Sequence, residues 1–375
     1  MLRRVAFRVD ASTAIGSGHV VRCLTLADAL AARGVDATFI CREHEGSLEA
    51  LIESRGFGFE MLTRNGPQFV SQIDLAGPEP LHAAWLGVDF RVDAMQFLSA
   101  LEGDRFDWVI VDHYALDARW ETIVRPRTQR LMVLDDLADR IHACDLLLDQ
   151  NLGRSGADYK GLIPDDCLTL TGPSYALLRP EFNQLRETSL KRREAGGVNR
   201  ILVSMGGVDL PNATGMVLDT LATTPAMIGI DVLVVMGQSA PWLARVREQV
   251  HHLPFRAEVR VNINDMAWEM CRSDVSIGAA GGTAWERCCL GVPTILMVQA
   301  DNQRSGAQAL GHAGAALVID GPESVRSNLP VYLAKLQMGQ ALLEMQGAAA
   351  RITDGLGAQR VVEAMEVRDA RYFNA

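Results

Sequence analysis

The sequence predicts an α/β protein of two Rossmann-like domains facing each other across a cleft. Three observations carry that expectation. Short apolar, β-prone runs alternate with helix-period segments along both halves, the pattern of parallel sheets covered on both faces. A charged stretch ending in Gly196-Gly197 separates the halves. Each half carries a glycine-rich turn between a strand and a helix. Ligands of open α/β sheets sit at the carboxyl ends of the strands, so the cleft is the expected site.

The first strand is expected over Val5–Asp10, followed by the turn Gly16-Ser17-Gly18-His19 and a helix with apolar side chains from Leu24 to Leu30. Further strands are expected at Asp36–Cys41, Phe57–Leu62, Trp108–Asp112, Arg130–Asp136, Asp145–Gln150 and Cys167–Thr171. A polar Gly/Pro loop, residues 64–87, exceeds the usual connection length. Lys191-Arg192-Arg193-Glu194 and the glycine pair mark the boundary, giving domains over residues 1–190 and 198–375. The second half repeats the alternation, with strands at Arg200–Ser204, Asp231–Met236, Glu258–Asn262, Val275–Ile277, Pro293–Val298 and Ala315–Ile319. After Ser324 the chain reads as amphipathic, structural helix.

A chain of 375 residues with 48% hydrophobic content is long enough for two cores. Its net charge of −10 argues against nonspecific nucleic-acid binding, which rests on a positive footprint. Seven cysteines without a CxxC pair show no zinc or disulfide framework. With no signal-peptide pattern and no apolar run long enough to span a bilayer, a cytoplasmic protein without membrane association is expected.

His19 falls near the first turn of its helix, where an imidazole is a candidate general base; the glycine turn before it also reads as a plain steric device. Gly206 and Gly207, ahead of Asn212-Ala213-Thr214, read as a phosphate cradle on free helix-start N–H groups, or as a simple βα turn. Gly281, Gly282 and Thr283 form a second such station. Glu286, one turn on, suits ribose hydroxyls because phosphate would repel it; the alternative is pairing with Arg287 or another cation. Asn302 can read sugar hydroxyls or cap the next helix. Asp112 and Asp135-Asp136 end successive expected strands and suit acid–base chemistry, or Asp136 caps a turn; metal binding is not expected there. His82, beside Trp85, is a sugar-side contact or a solvated loop histidine. Cys288-Cys289 reads as packing.

These stretches, together with Asp112-His-Tyr-Ala-Leu-Asp-Ala-Arg-Trp-Glu121, Leu147-Leu-Asp-Gln-Asn151 and Gly172-Pro-Ser-Tyr-Ala-Leu-Leu-Arg-Pro-Glu-Phe182, resemble the UDP-2,4-diacetamido-2,4,6-trideoxy-β-L-altropyranose hydrolases of pseudaminic acid biosynthesis. The resemblance spans most of the chain. It implies a glycosyltransferase-B fold, with a second domain like that of the UDP-GlcNAc transferase that makes lipid II. It implies inverting hydrolysis of the anomeric C–O bond with release of UDP, in the nonulosonic acid supply for flagellin glycosylation. By the same resemblance His19 is catalytic, Glu286 binds ribose, Asn302 contacts substrate, and uracil lies against Val261-Asn262-Ile263. Gly18, Arg22, His82 and Tyr114 are expected to bind substrate from the first domain. Gly206, Gly207, Ile263, Gly281, Gly282 and Thr283 are expected to bind it from the second.

The sequence departs from the family at Ala280, Ala284 and Leu210, and in the loop around residues 64–80. No cofactor or metal is expected. The expected partner is a small UDP-sugar, not nucleic acid or membrane, and the expected state is a monomer or weak oligomer. A glycosyltransferase of the same fold and a noncatalytic nucleotide-sugar sensor are the competing readings.

Overall fold

The computed structural model of the chain describes residues 2–64, 77–101, 105–194, 196–227 and 229–373. Most of the long Gly/Pro loop, residues 65–76, therefore lies outside the described residues. The chain divides into two compact units, Met1–Leu177 with Gly357–Ala375, and Leu178–Leu356.

Unit 1 holds a parallel sheet of β1 (Arg4–Val9), β2 (Asp36–Arg42), β3 (Gly58–Leu62), β4 (Phe106–Asp112), β5 (Thr128–Leu134), β6 (Leu146–Asp149) and β7 (Leu168–Thr171). Its helices are α1 (Gly18–Ala31), α2 (Glu49–Ser54), α3 (Phe90–Ala100) and α4 (Ala118–Val124). Every strand expected in this half is present within a few residues of its predicted ends. Both faces are apolar because successive side chains alternate sides. Phe7, Phe39, Ile110 and Met132 pack with Leu26 and Leu30 of α1, while Ala6, Ile40, Val109 and Val111 pack with Phe97 of α3 and Trp120 of α4.

Unit 2 holds β8 (Arg200–Ser204), β9 (Asp231–Met236), β10 (Ala257–Val261), β11 (Val275–Ala279), β12 (Thr294–Met297) and β13 (Ala316–Ile319), again all parallel. The helices around it are α5 (Pro180–Arg193), α6 (Ala213–Ala222), α7 (Leu243–Val250), α8 (Met266–Arg272), α9 (Thr283–Cys289), α10 (Asp301–His312), α11 (Val325–Gln337) and α12 (Gln340–Ala350). The last helix, α13 (Gly357–Phe373), returns to unit 1, where Val361, Val362 and Met365 enter the α1 face of the sheet.

The domain limits 1–190 and 198–375 need correction at both ends. The charged run at Lys191 is not the boundary but the end of α5, which starts at Pro180, a favoured first helical residue. Arg193 is buried there and donates to the carbonyls of Met270, Ser273 and Leu290, so α5 belongs to unit 2. A charge run in sequence does not reveal a helix end whose arginine is saturated by carbonyls.

Among the described residues no helix is long and apolar enough to cross a membrane. Cys288 and Cys289 are buried in α9, as packing requires.

Candidate active site

The strand order β3-β2-β1-β4-β5-β6-β7 reverses direction between β1 and β4. At such a switch point the loops leaving two neighbouring strands diverge and open a crevice. The loop after β1 carries the Gly16–His19 turn, and β4 ends on Asp112. Gly16 has φ +82°, which favours glycine, whereas Gly18 faces open space within 4 Å of where a Cβ would stand. His19 is the second residue of α1, as expected.

Its Nδ1 lies 2.6 Å from Asp112 Oδ1. A carboxylate accepts only, so Nδ1 carries the proton and Nε2 is left as the basic nitrogen. Asp112 is in turn clamped by Arg22, whose Nε and Nη2 each donate at 2.6 Å to its two oxygens. Burial pushes the Asp112 carboxyl up, but Arg22 and His19 outweigh it and hold the group well below the usual carboxylate range. Asp112 thus stays ionised and orients the imidazole without competing for its proton. Arg22 also donates to Asp136 at 2.6 Å, and Asp136 accepts the Tyr114 hydroxyl at 2.7 Å. Burial first, and then the charge of Asp136, raise that phenol well above its ordinary value, so Tyr114 remains a neutral donor.

The two aspartates at the end of β5 have the reverse of one expected division of labour. Asp135, not Asp136, caps the turn, accepting from the Ala138 N–H at 2.8 Å, while Asp136 belongs to the Arg22–Tyr114 cluster.

An aromatic wall flanks the histidine. The His19 ring stands edge-on to Tyr114 with centroids 4.7 Å apart, and Trp85 lies 5.9 Å from Tyr114 at an interplanar angle of 26°. His82 packs against both, 4.3 Å from Trp85 and 5.6 Å from Tyr114. Burial lowers its pKa below the ordinary histidine value, which favours a neutral ring. Aromatic faces beside polar groups suit a ligand that presents both apolar and hydrogen-bonding faces. His82 is therefore not the freely solvated loop histidine of the alternative reading.

The sheet of unit 2 repeats the switch, with order β10-β9-β8-β11-β12-β13 and its reversal between β8 and β11. The turns leaving those two strands carry Gly206-Gly207 and Gly281-Gly282-Thr283. All four glycines face open space where a Cβ would stand. The N–H groups of Gly281, Gly282 and Thr283 take no intrachain acceptor among the described residues.

The helix start after the first turn needs correction. Asp209, with φ 48°, accepts from the N–H groups of Ala213 and Thr214, and the Asn212 side chain accepts from Gly215. The N-terminus of α6 is already capped, so only the turn around Gly206-Gly207 is left for a ligand. That turn is wedged from below by Gly237, where a Cβ would stand 2.1 Å from the Gly207 carbonyl oxygen. Gly237→Ala is expected to destabilise the protein by about 1–3 kcal/mol through overpacking against backbone, measured by urea unfolding.

Glu286 projects from α9 with Arg179 Nη2 3.9 Å from its Oε1. It does not pair with Arg287, whose side chain points into the sheet. Burial raises the Glu286 carboxyl to about 7, offset only in part by Arg179 and Arg287. Asn302 is exposed in the first turn of α10 and is not its cap, since Ala300 holds that position. Ile263 is half-buried just beyond β10, the edge strand, after Asn262, which has φ 47° and accepts from the Gln238 N–H at 3.0 Å.

The sequence reading missed the pairing of His19 with Asp112, the place of Trp85 in the wall, and Arg179 beside Glu286. The first needs strand order, because β1 and β4 are about a hundred residues apart in the chain and become neighbours only at the reversal.

Residues 214–361 match the family described as the glycosyltransferase family 28 C-terminal domain. The chain is 27% identical over 221 residues to the UDP-2,4-diacetamido-2,4,6-trideoxy-beta-L-altropyranose hydrolase of Campylobacter jejuni, covering 59% of this chain and 66% of that protein. It is 28% identical over 197 residues to the spore coat polysaccharide biosynthesis protein SpsG of Bacillus subtilis, covering 52% of this chain and 57% of the relative. Both alignments thus span under two thirds of the relative's length. Among solved structures, MurG of Acinetobacter baumannii superposes with a TM-score of 0.64 at 17% identity, covering 97% of this chain and 99% of that one. The calicheamicin glycosyltransferase CalG4 superposes at 0.59 and 15% identity, covering 99% of each. The fold is that of the glycosyltransferase-B proteins.

Proposed function

We propose that this chain hydrolyses the anomeric C–O bond of UDP-2,4-diacetamido-2,4,6-trideoxy-β-L-altropyranose with inversion, releasing UDP and the free sugar. The observation that carries the reading is the His19–Asp112 pair, in which a clamped carboxylate fixes the tautomer that leaves Nε2 free to accept a proton. Water gives its proton to Nε2 as its oxygen attacks the anomeric carbon. The C–O electron pair leaves with the β-phosphate of UDP. Asp112 remains ionised and stabilises the imidazolium formed. The neutral His82, Trp85 and Tyr114 line the sugar side, while Arg22 holds the carboxylates in place.

In unit 2 the N–H groups of the Gly206-Gly207 and Gly281–Thr283 turns meet the charge developing on the diphosphate. Glu286 accepts from the ribose hydroxyls, Ile263 borders the uracil, and Asn302 reads the sugar. The similarity to the Campylobacter jejuni hydrolase supports the substrate. The family 28 match favours a second reading, transfer of the same sugar to an acceptor hydroxyl.

The test is to supply the UDP-sugar to purified protein and follow its anomeric proton by NMR. Release of UDP and an inverted free sugar with no acceptor present is the expected result. Release only when an acceptor is added would establish the transferase instead, and tight binding with no release a sensor.

The Glu286 carboxyl gives a pH signature. A ribose hydroxyl bonds best to the ionised carboxylate, and with a pKa of about 7 only the ionised fraction is competent. UDP affinity is therefore expected to rise by about tenfold between pH 6 and pH 8 in excess of the rise seen for Glu286→Gln. Comparison with the variant removes the titration of UDP itself. Parallel pH curves for the two proteins would refute the ribose role.

A further inference from the structure

Four arginines are at most 2% exposed among the described residues: Arg8, Arg42, Arg193 and Arg287. Three have their guanidinium nitrogens satisfied. Arg8 donates to Asp10 and Asp93. Arg42 donates to Asp93, Gln96 and the Thr63 carbonyl. Arg193, which has no carboxylate, donates instead to backbone carbonyls and the Ser189 hydroxyl.

Arg287 differs. Its Nη2 donates to the Ala279 carbonyl at 2.7 Å, but Nε and Nη1 are buried without a hydrogen-bond partner, and it forms no ion pair among the described residues. Burial lowers its pKa to about 10, so the group is still cationic at neutral pH. Glu286 is near enough to be felt but not in ion-pair contact, and a buried charge without a contacting counter-ion is costly and calls for a partner.

The position of this guanidinium says which partner. It lies against Gly278, where a Cβ would stand 2.4 Å from Nη1 and 2.7 Å from the Ser204 carbonyl oxygen. Gly278 and Ser204 sit at the carboxyl ends of β11 and β8, the strands whose outgoing turns carry Gly281-Gly282-Thr283 and Gly206-Gly207. Consecutive residues of a helix point about 100° apart. So α9 turns Glu286 away from the sheet and Arg287 under the strand ends.

We propose that Arg287 is the buried counter-charge of the diphosphate site, balanced by the phosphates of the bound ligand through the turn above it. This rests on the reading that unit 2 takes UDP. Through its bond to the Ala279 carbonyl, Arg287 also fixes the backbone from which the donor N–H groups of that turn project. It acts as a positioning and electrostatic residue.

The test is isothermal titration of the full chain with UDP, inorganic pyrophosphate and uridine, for wild type and Arg287→Met. UDP and pyrophosphate are expected to bind at least about tenfold more weakly to the variant, with uridine affinity unchanged. The ligand-free variant is expected to melt no lower than wild type, since an unpaired buried charge has been removed. Arg287→Gln carries the same comparison if Arg287→Met does not fold. Equal losses for UDP and uridine would mark a structural role and overturn the proposal, as would unchanged UDP binding. A wild type that binds pyrophosphate dependently on Arg287 but does not bind UDP keeps the counter-charge and refutes the uridine-nucleotide reading. One that binds neither overturns both.

Discussion

His19→Asn is expected to lower the rate of UDP release by about 10²–10⁴-fold, the range a positioned general base contributes. UDP affinity should barely change, because His19 lies in unit 1 and the proposed diphosphate and ribose contacts lie in unit 2. Asp112→Asn should cost about as much, for a separable reason. An amide at that position can donate to Nδ1 and so stabilise the wrong tautomer, moving the proton to the nitrogen that must accept one; loss of a triad aspartate by this route costs about 10⁴-fold in serine proteases. The two substitutions remove one function, so the double variant should be scarcely slower than either alone. Single-turnover release of UDP from the four proteins measures this. Multiplicative losses in the double variant would mean that His19 and Asp112 act independently, against the 2.6 Å bond between them.

The strands were legible because each is an apolar run bounded by turn residues, and a parallel sheet buried on both faces demands that pattern. The glycine turns were legible for a local reason as well: a backbone that must stand open at a strand end leaves a run of small residues. Relations between distant segments were not. Asp112 reads in sequence as one of several carboxylates at strand ends, and only the reversal between β1 and β4 makes it the partner of His19. The free N–H groups assigned to the start of α6 failed similarly, because Asp209 reaches forward to cap it from a left-handed conformation that asparagine or glycine more often supplies. The α5 boundary failed because a charge run looks the same whether its arginines meet water or carbonyls.

Asp93→Ala is expected to destabilise the protein by about 3–5 kcal/mol, since it strands buried cations. One fully buried carboxylate here accepts from Arg8 Nε and Nη2, from Arg42 Nε and Nη2, and from Trp120 Nε1. With Asp10, which accepts both Nη groups of Arg8, it balances two guanidiniums beneath the end of β1. Removing Asp93 leaves two buried positive charges facing one negative. The double variant Arg8→Met with Asp93→Leu removes one cation with the carboxylate, leaving the Arg42 guanidinium on the Thr63 carbonyl and Gln96, and should recover part of the loss, which a simple cavity would not do. Burial pushes both carboxyls up, but Arg8 outweighs it and holds Asp10 and Asp93 below their ordinary range. Groups so depressed contribute fully above an unfolded pKa near 4, and the contribution is lost as pH falls below it toward the folded values. Urea unfolding at pH 7 and at pH 3 should therefore show a smaller difference between wild type and Asp93→Ala at the lower pH. A cost under about 1 kcal/mol at pH 7 would mean the network is hydrated and dispensable. The network also reaches the carboxyl end of β4, because His113 Nε2 lies 3.2 Å from Asp10 Oδ2 and its backbone follows Asp112 directly. The Arg8–Asp10–Asp93 cluster thus packs against the residue that follows Asp112, the carboxylate beside His19.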